Sequence, residues 1–113
     1  MKRAPIRRKR SKAKADAAYE RNYGPLAAFV REYRCCVCKS TETFACHVKG
    51  KRAYGAWLTC PHTGDRIGNI YPACKTHHDE QHDHGIKTFE AKYGFSLSGL
   101  AADLGRAFEE QER

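Results

Sequence analysis

Two pairs of metal-binding side chains, each separated by two residues, stand out in this sequence. Cys35 and Cys38 form the first pair, and Cys74 and His77 form the second. This spacing lets a tight turn present two donors to one tetrahedral ion, so the two pairs together supply four ligands. Four ligands leave no position for water, and the sequence therefore predicts a structural Zn²⁺ site that ties residue 35 to residue 74.

Two further cysteines are not part of this paired spacing. Cys36 is a competing ligand inside the first pair, and Cys60 stands alone. The spacing favours Cys35 and Cys38, so Cys36 and Cys60 are interpreted as structural residues. The alternative is that some of these thiols are buried apolar side chains. A disulfide scaffold is not expected, because cysteines in a cytosolic chain stay reduced.

A second group of histidines follows directly on the first. His78 and His82 are four residues apart on a predicted helix, so both imidazoles lie on one face and can hold a single metal ion. His77 points roughly 100° away from His78 around the same helix, toward the zinc site. The alternative interpretation is a solvated polar helix face, because helices also collect such pairs by chance.

The order of these motifs resembles the HNH, or ββα-metal, family of endonucleases. Three segments carry the resemblance: Cys46-His47-Val48, Asn69-Ile70 and residues 74–82. It covers residues 34–85 and includes the step of nine residues from Asn69 to His78, as in the nuclease domains of DNase colicins. The zinc pairs resemble the treble-clef version found in many phage-encoded HNH proteins.

The resemblance implies a role for each residue of the motif. His47 would be the general base, and Asn69 would orient His47 or the loop around it. His78 and His82 would hold one divalent cation, which could be Mg²⁺, Mn²⁺, Ni²⁺ or Zn²⁺. At the position of Cys46 the family usually has a His or Asp metal ligand. A thiolate favours zinc or another transition metal, so either the metal preference differs here or Cys46 does not bind the ion.

Positive charge is concentrated at the N-terminus. Residues 1–14 contain eight Lys and Arg and no acid, while the whole chain has a net charge of +8. Such a segment repels itself and buries little apolar surface, so it is predicted to be a disordered arm that contacts nucleic-acid phosphates. The alternative is a solvated tail or an import-like basic patch. The predicted nucleic-acid contacts are Arg7, Arg8, Lys9, Arg10, Lys49, Lys51, Arg52 and Arg66.

The predicted fold is a small α+β domain, with a ββα-metal core on a treble-clef zinc knuckle and helices on both sides. Its parts are a disordered arm at 1–14, a helical segment at 15–34, a zinc-stapled HNH core at 35–85 and a C-terminal helical segment at 86–113. Strands are expected within 41–48, 56–59 and 69–73, the last stopped by Pro72, with residues 49–68 otherwise a loop. Helices are expected to open at Pro25 and to cover 74–84, 87–93 and 98–111.

The predicted function is metal-dependent hydrolysis of DNA phosphodiester bonds, with DNA as partner and a recombinase or other phage or host DNA-processing protein as a further candidate. The alternative is a zinc-dependent DNA-binding or adaptor module of a phage recombination system without catalysis. Tyr54 and Trp57, which lie among basic residues, could stack on a base or anchor the core. No run of 18 apolar residues and no signal peptide is found, so a cytoplasmic protein without membrane contact is expected.

Overall fold

The computed structural model describes residues 24–49 and 55–112, which form an α+β fold. The helices are α1 (Pro25–Arg31), α2 (Lys75–His84), α3 (Ile86–Tyr93) and α4 (Leu97–Gln111). The strands are β1 (Phe44–His47), β2 (Trp57–Thr59), β3 (Arg66–Gly68) and β4 (Ile70–Ala73). The predicted arm at 1–14 and the first part of the predicted helical segment at 15–34 lie outside the described residues.

The strands form two antiparallel pairs. β1 pairs with β4, with His47 opposite Ile70, and β2 pairs with β3. In the sequence, the β2–β3 hairpin is thus inserted between β1 and β4, which pair directly with each other in the other sheet. β3 falls in the region predicted as a loop, because a strand of three residues carries too little alternation to be recognised.

Pro72 does not stop β4, contrary to the sequence prediction. The strand continues to Ala73, and Pro72 lies opposite Ala45 of β1. Among the described residues β4 has one strand neighbour, and a strand with a free edge tolerates a residue that lacks an N–H group. The Pro72 carbonyl instead accepts a hydrogen bond of 3.1 Å from the Cys36 amide, which links β4 to the first cysteine pair.

The β1–β4 sheet lies between two apolar clusters. The first cluster joins α1, β4 and α4, and its largest members are Leu26, Phe29, Val30, Ile70, Leu104 and Phe108. The second joins β1 and β4 to α3 and α4, and contains Cys35, Cys46, Tyr71, Ala73, Phe89 and Leu97. Successive strand residues point to opposite faces, so Ile70 and Tyr71 enter different clusters.

The helix ends follow their predicted signals. Pro25 occupies the first turn of α1. Gly85 ends α2 with a φ of 88°, a backbone conformation that is less favourable in free energy for residues with a side chain than for glycine. The first turn of α4 is capped twice, because the Ser96 hydroxyl accepts from the Gly99 amide and the Glu90 carboxylate accepts from the Leu97 amide. None of the helices in the described ranges is long and apolar enough to cross a membrane.

The β2–β3 hairpin touches α4 at a contact between two glycines. A Cβ atom added at Gly105 would lie 2.9 Å from the Gly68 amide nitrogen and 3.1 Å from Cζ3 of Trp57. Gly68 belongs to β3 and Gly105 to the middle of α4, so the backbones themselves are in contact. The absence of both side chains lets the inserted hairpin pack against the last helix.

Gly105→Ala is expected to lower the free energy of unfolding by about 1–3 kcal/mol, because the new methyl group overlaps the backbone of Gly68. The matched control is Gly99→Ala in the same helix, where the added Cβ would meet only the Ser96 side chain, at 3.3 Å. Alanine is the better helix former, so this control should be neutral or stabilising. Urea denaturation measures both variants, and equal effects would contradict the close approach.

Candidate metal centre and histidine cluster

The four predicted zinc ligands converge in the structure. The ligand atoms of Cys35, Cys38, Cys74 and His77 all lie within 4.8 Å of one another. Cys38 Sγ lies 3.7 Å from Cys74 Sγ, and Cys74 Sγ lies 3.2 Å from His77 Nδ1. A tetrahedron with metal–sulfur bonds of about 2.3 Å has edges of about 3.8 Å. This cluster could therefore hold a metal ion such as zinc, and the predicted convergence is confirmed.

The backbone around the first cysteine pair favours a thiolate. The turn closes through a hydrogen bond from the Lys39 amide to the Cys35 carbonyl, and Lys39 takes a φ of 67°. The Val37 amide donates to Cys35 Sγ at 3.4 Å. Burial raises the pKa of the Cys35 thiol, but hydrogen bonds at Cys38, Cys74 and Val37 outweigh it and lower the pKa to about 6. A thiolate is the form that binds metal.

The second ligand pair is supplied by the start of α2. Cys74 is the residue before the first helical turn, with extended backbone, and His77 lies within that turn. The His77 ring packs edge-on against Tyr93 of α3, with ring centroids 5.9 Å apart. The cluster thus joins the turn after α1 to the beginning of α2, and its His77 ring rests against the end of α3.

Cys36 and Cys60, the two cysteines interpreted as structural, lie outside the cluster of four ligands. Cys36 is half-buried and is not one of the four converging residues. Its pKa is raised to about 12, mainly by burial and then by the nearby Cys35, so the thiol stays protonated. Cys60 lies in the turn between β2 and β3, where its backbone bonds to that of Asp65. Neither residue is one of the converging ligands among the described residues, and their structural role stays a prediction.

Cys46, at the position where the family resemblance would place a metal ligand, is buried in the apolar core. Its side chain is 1% exposed, and Sγ contacts the carbonyl oxygen of Phe44 at 3.5 Å. It packs in the second apolar cluster with Cys35 and Tyr71. Burial raises the pKa of the Cys46 thiol to about 12, as expected for a thiol in an apolar environment. Cys46 is thus a buried core thiol, and it is not among the described residues whose ligand atoms converge.

Three histidines come together where the end of β1 meets α2. The Nε2 atoms of His78 and His82 are 3.0 Å apart, and the ring centroids of His47 and His82 are 5.9 Å apart. Burial, and then the neighbouring His82, lower the pKa of His78, which favours the neutral imidazole. Neutral imidazoles bind metal ions, and two nitrogens at this separation can share one ion.

The Asn69 side chain links the residues directly after His47 to Gly55. Its side chain is fully buried and accepts a hydrogen bond of 2.9 Å from the Lys49 amide. The amide group of the same side chain donates to the Gly55 carbonyl at 2.9 Å. The Asn69 carbonyl accepts from the Val48 amide at 2.8 Å. Asn69 thus holds residues 48–49 directly after His47, and of its two predicted roles these contacts match orientation of the loop.

Arg66 and Trp57 serve the packing of the hairpin. The Arg66 guanidinium lies 3.9 Å from the centroid of the Trp57 ring, and its Nε lies 2.7 Å from Oε2 of Glu109. The Trp57 ring also contacts Phe108 of the first apolar cluster. The charge of Arg66 is therefore paired within the chain. Lys49 is exposed, while Arg7, Arg8, Lys9, Arg10, Lys51, Arg52 and Tyr54 lie outside the described residues.

Sequence reasoning missed a buried polar contact behind the histidines. The Tyr71 hydroxyl donates a hydrogen bond of 3.3 Å to Oε1 of Gln81, and both residues are buried. Gln81 immediately precedes His82, so this contact fixes α2 against β4 close to the histidine cluster. A glutamine in a highly charged helix gives no sign of burial, and no motif could have identified this pair.

In comparisons with known proteins, no family model, no curated sequence and no solved structure matches this chain.

Cys38→Ala is expected to abolish stoichiometric zinc binding and to lower the melting temperature strongly, because it removes one of four converging ligands. The matched control is Cys60→Ala, which removes a thiol outside the cluster and should retain one zinc ion per chain. Metal analysis of the purified proteins by mass spectrometry, together with thermal denaturation, measures both effects. Full zinc content in Cys38→Ala would contradict the assignment of the four ligands.

Asn69→Ala is expected to lower the free energy of unfolding by about 1–3 kcal/mol, because the Lys49 amide and the Gly55 carbonyl lose their partner. Zinc content should stay unchanged, because Asn69 contacts none of the four ligands. The comparison variant is His47→Ala, which changes the last residue of β1 and leaves the Asn69 side chain in place. A variant at residue 69 as stable as the wild type would show that the loop does not depend on this side chain.

Proposed function

We propose that this chain is a metal-dependent DNA endonuclease of the HNH type, built on a ββα-metal core. The observation that carries the proposal is the meeting of His47, at the end of β1, with His78 and His82 on α2. These are the residues to which the family resemblance assigns the general base and two ligands of the catalytic metal. Phosphodiester hydrolysis needs both components side by side.

In the proposed mechanism His47 accepts a proton from the attacking water. A neutral imidazole suits this task, because its ordinary pKa lies close to physiological pH. The ring of His47 lies beside that of His82, so the base and the metal ligands can address the same phosphate. Asn69 would act as a positioning residue, because it holds the backbone directly after His47.

His78 and His82 would bind the catalytic divalent cation through the Nε2 atoms that face each other. The bound cation would neutralise negative charge on the scissile phosphate and stabilise the departing 3′ oxygen. Both histidines lie on one face of α2, which holds their separation constant. They would thus supply a rigid seat for the ion.

The Cys35, Cys38, Cys74 and His77 cluster would be a structural zinc site of the treble-clef kind. Its four ligands close the coordination sphere, so it would not take part in catalysis. Instead it would fix the beginning of α2, and thereby the position of His78 and His82. DNA would be bound chiefly through phosphate contacts of Lys49 and of basic residues outside the described ranges, with a steep dependence on salt.

His47→Ala should reduce nicking of supercoiled plasmid DNA by about 10²–10⁴-fold, because it removes the proposed base. The assay is run with Mg²⁺, Mn²⁺, Ni²⁺ or Zn²⁺. The matched control is His84→Ala, which removes an exposed histidine from the last turn of the same α2 helix and should leave nicking intact.

Zinc content and DNA binding should be unchanged in both histidine variants. Equal nicking by His47→Ala and the wild-type protein would overturn the assignment of the base. A wild-type protein that binds DNA but cleaves none with any of the four metals would favour a zinc-dependent DNA-binding or adaptor module instead.

A further inference from the structure

The three sulfur ligands of the metal cluster differ in their access to solvent. Cys38 is exposed and Cys74 is half-buried, whereas Cys35 is fully buried. A cleft of about 510 Å³ opens over one side of the cluster, and both Cys38 and Cys74 line it. Cys35 is not among the residues that line this cleft. A small solute can therefore reach two of the three sulfurs while the fold stays as it is.

The two accessible sulfurs also lie close to each other. Sγ of Cys38 is 3.7 Å from Sγ of Cys74, and a disulfide of about 2.05 Å would need the two atoms to approach by roughly 1.7 Å. Rotation of the exposed Cys38 side chain about its Cα–Cβ bond can supply much of this movement. Cys35 Sγ, by contrast, accepts a hydrogen bond from the Val37 amide at 3.4 Å and lies 3.6 Å from Nδ1 of His77. Its sulfur is thus held on the inner side of the cluster.

Metal binding would keep both accessible sulfurs in their reactive form. A cysteine that binds zinc is deprotonated, and the thiolate is the form of cysteine that peroxides oxidise. The remaining cysteines differ in position, because Cys46 is buried and Cys60 is not one of the converging ligands. Access, proximity and thiolate character therefore coincide at Cys38 and Cys74.

We propose that Cys38 and Cys74 form a peroxide-sensitive pair, whose oxidation to a disulfide abolishes zinc binding at the cluster. The proposal rests on the structural zinc site proposed above. It does not depend on the nuclease activity, and it holds whether or not the chain cleaves DNA.

The reaction has two steps, with hydrogen peroxide as the oxidant. The Cys38 thiolate attacks one oxygen atom of the peroxide, so the O–O bond breaks, a sulfenic acid forms and hydroxide leaves. The Cys74 thiolate then attacks the sulfenic sulfur, so the S–S bond forms, the S–O bond breaks and a second hydroxide leaves. Two electrons pass from the sulfurs to the peroxide, and two protons from the solvent convert both hydroxides to water.

The disulfide would remove two of the four ligands and leave Cys35 and His77, which are too few for a closed zinc site. It would nevertheless keep the turn after α1 linked to the beginning of α2, because Cys38 and Cys74 belong to these two segments. The segments would therefore stay together in the oxidised chain. Reduction would restore both thiolates in place, so the loss of zinc should be reversible.

The test exposes the zinc-loaded full chain to hydrogen peroxide and follows zinc release with a colorimetric chelator. We expect loss of the bound zinc together with formation of a disulfide, and recovery of zinc binding after addition of dithiothreitol and Zn²⁺. A chain that binds no zinc would overturn the proposal. A chain that keeps its zinc while peroxide oxidises Cys60 would overturn it as well.

Tryptic peptide mapping of the alkylated protein separates the possible disulfides. Trypsin leaves Cys38 with its two neighbouring cysteines in residues 35–39, and Cys74 in residues 67–75. The expected disulfide joins these two peptides, and tandem mass spectrometry identifies the linked cysteine. A disulfide within residues 35–39, or a link from Cys74 to a cysteine other than Cys38, would assign the reaction to a different pair and overturn the proposal.

Cys38→His is the matched variant, because two thiolates and two imidazoles are also a common zinc ligand set. It should bind zinc and lose none to peroxide under conditions that empty the wild-type protein, because one sulfur of the pair is gone. Cys60→Ser removes a thiol outside the cluster and should release zinc as the wild type does. Release from Cys38→His at the wild-type rate would contradict the proposal, and if this variant binds no zinc, the wild-type peptide map decides. Nicking of plasmid DNA by the untreated wild-type protein tests the proposed function separately.

Discussion

The arrangement of the candidate site depends on how the first turn of α2 is fastened. Cys74 and His77 at this end of the helix converge with Cys35 and Cys38 from the turn after α1. A helix that is held only at its first turn could still rotate about its own axis. The buried hydrogen bond between Tyr71 and Gln81 prevents this, because it joins α2 to β4 one turn further along. The two constraints together direct the face that carries the histidine pair toward the end of β1.

The need for such fastening follows from the small size of the sheets. Each sheet within the described ranges has two strands, and the strands are three or four residues long. A two-stranded sheet of this length is at best marginally stable by itself in water. A structural zinc ion contributes on the order of 10 kcal/mol to the folding of small domains. An ion at the four-ligand cluster would therefore be a major source of stability for this fold.

The sequence predicted the four residues of the metal cluster better than it predicted the side-chain contacts around the histidines. Paired spacings identified Cys35, Cys38, Cys74 and His77, because a knuckle is local and its ligands are recognisable by residue type. Proline and glycine likewise predicted the ends of α1 and α2. The place of Cys46 and the contact between Tyr71 and Gln81 were not predictable, because they depend on which strand face meets which helix. The resemblance suggested a loop-orienting role for Asn69 but could not supply its hydrogen-bond partners.

The strand alternation that brings His47 beside His82 places Cys46 on the opposite, buried face of β1. Here the face that receives residue 46 is filled by Tyr71, Phe89 and Leu97, and a charged side chain would have to be desolvated there. A thiol avoids that cost and packs well. Residue 46 thus contributes to the packing of the second cluster, while the next residue, His47, lies beside His82.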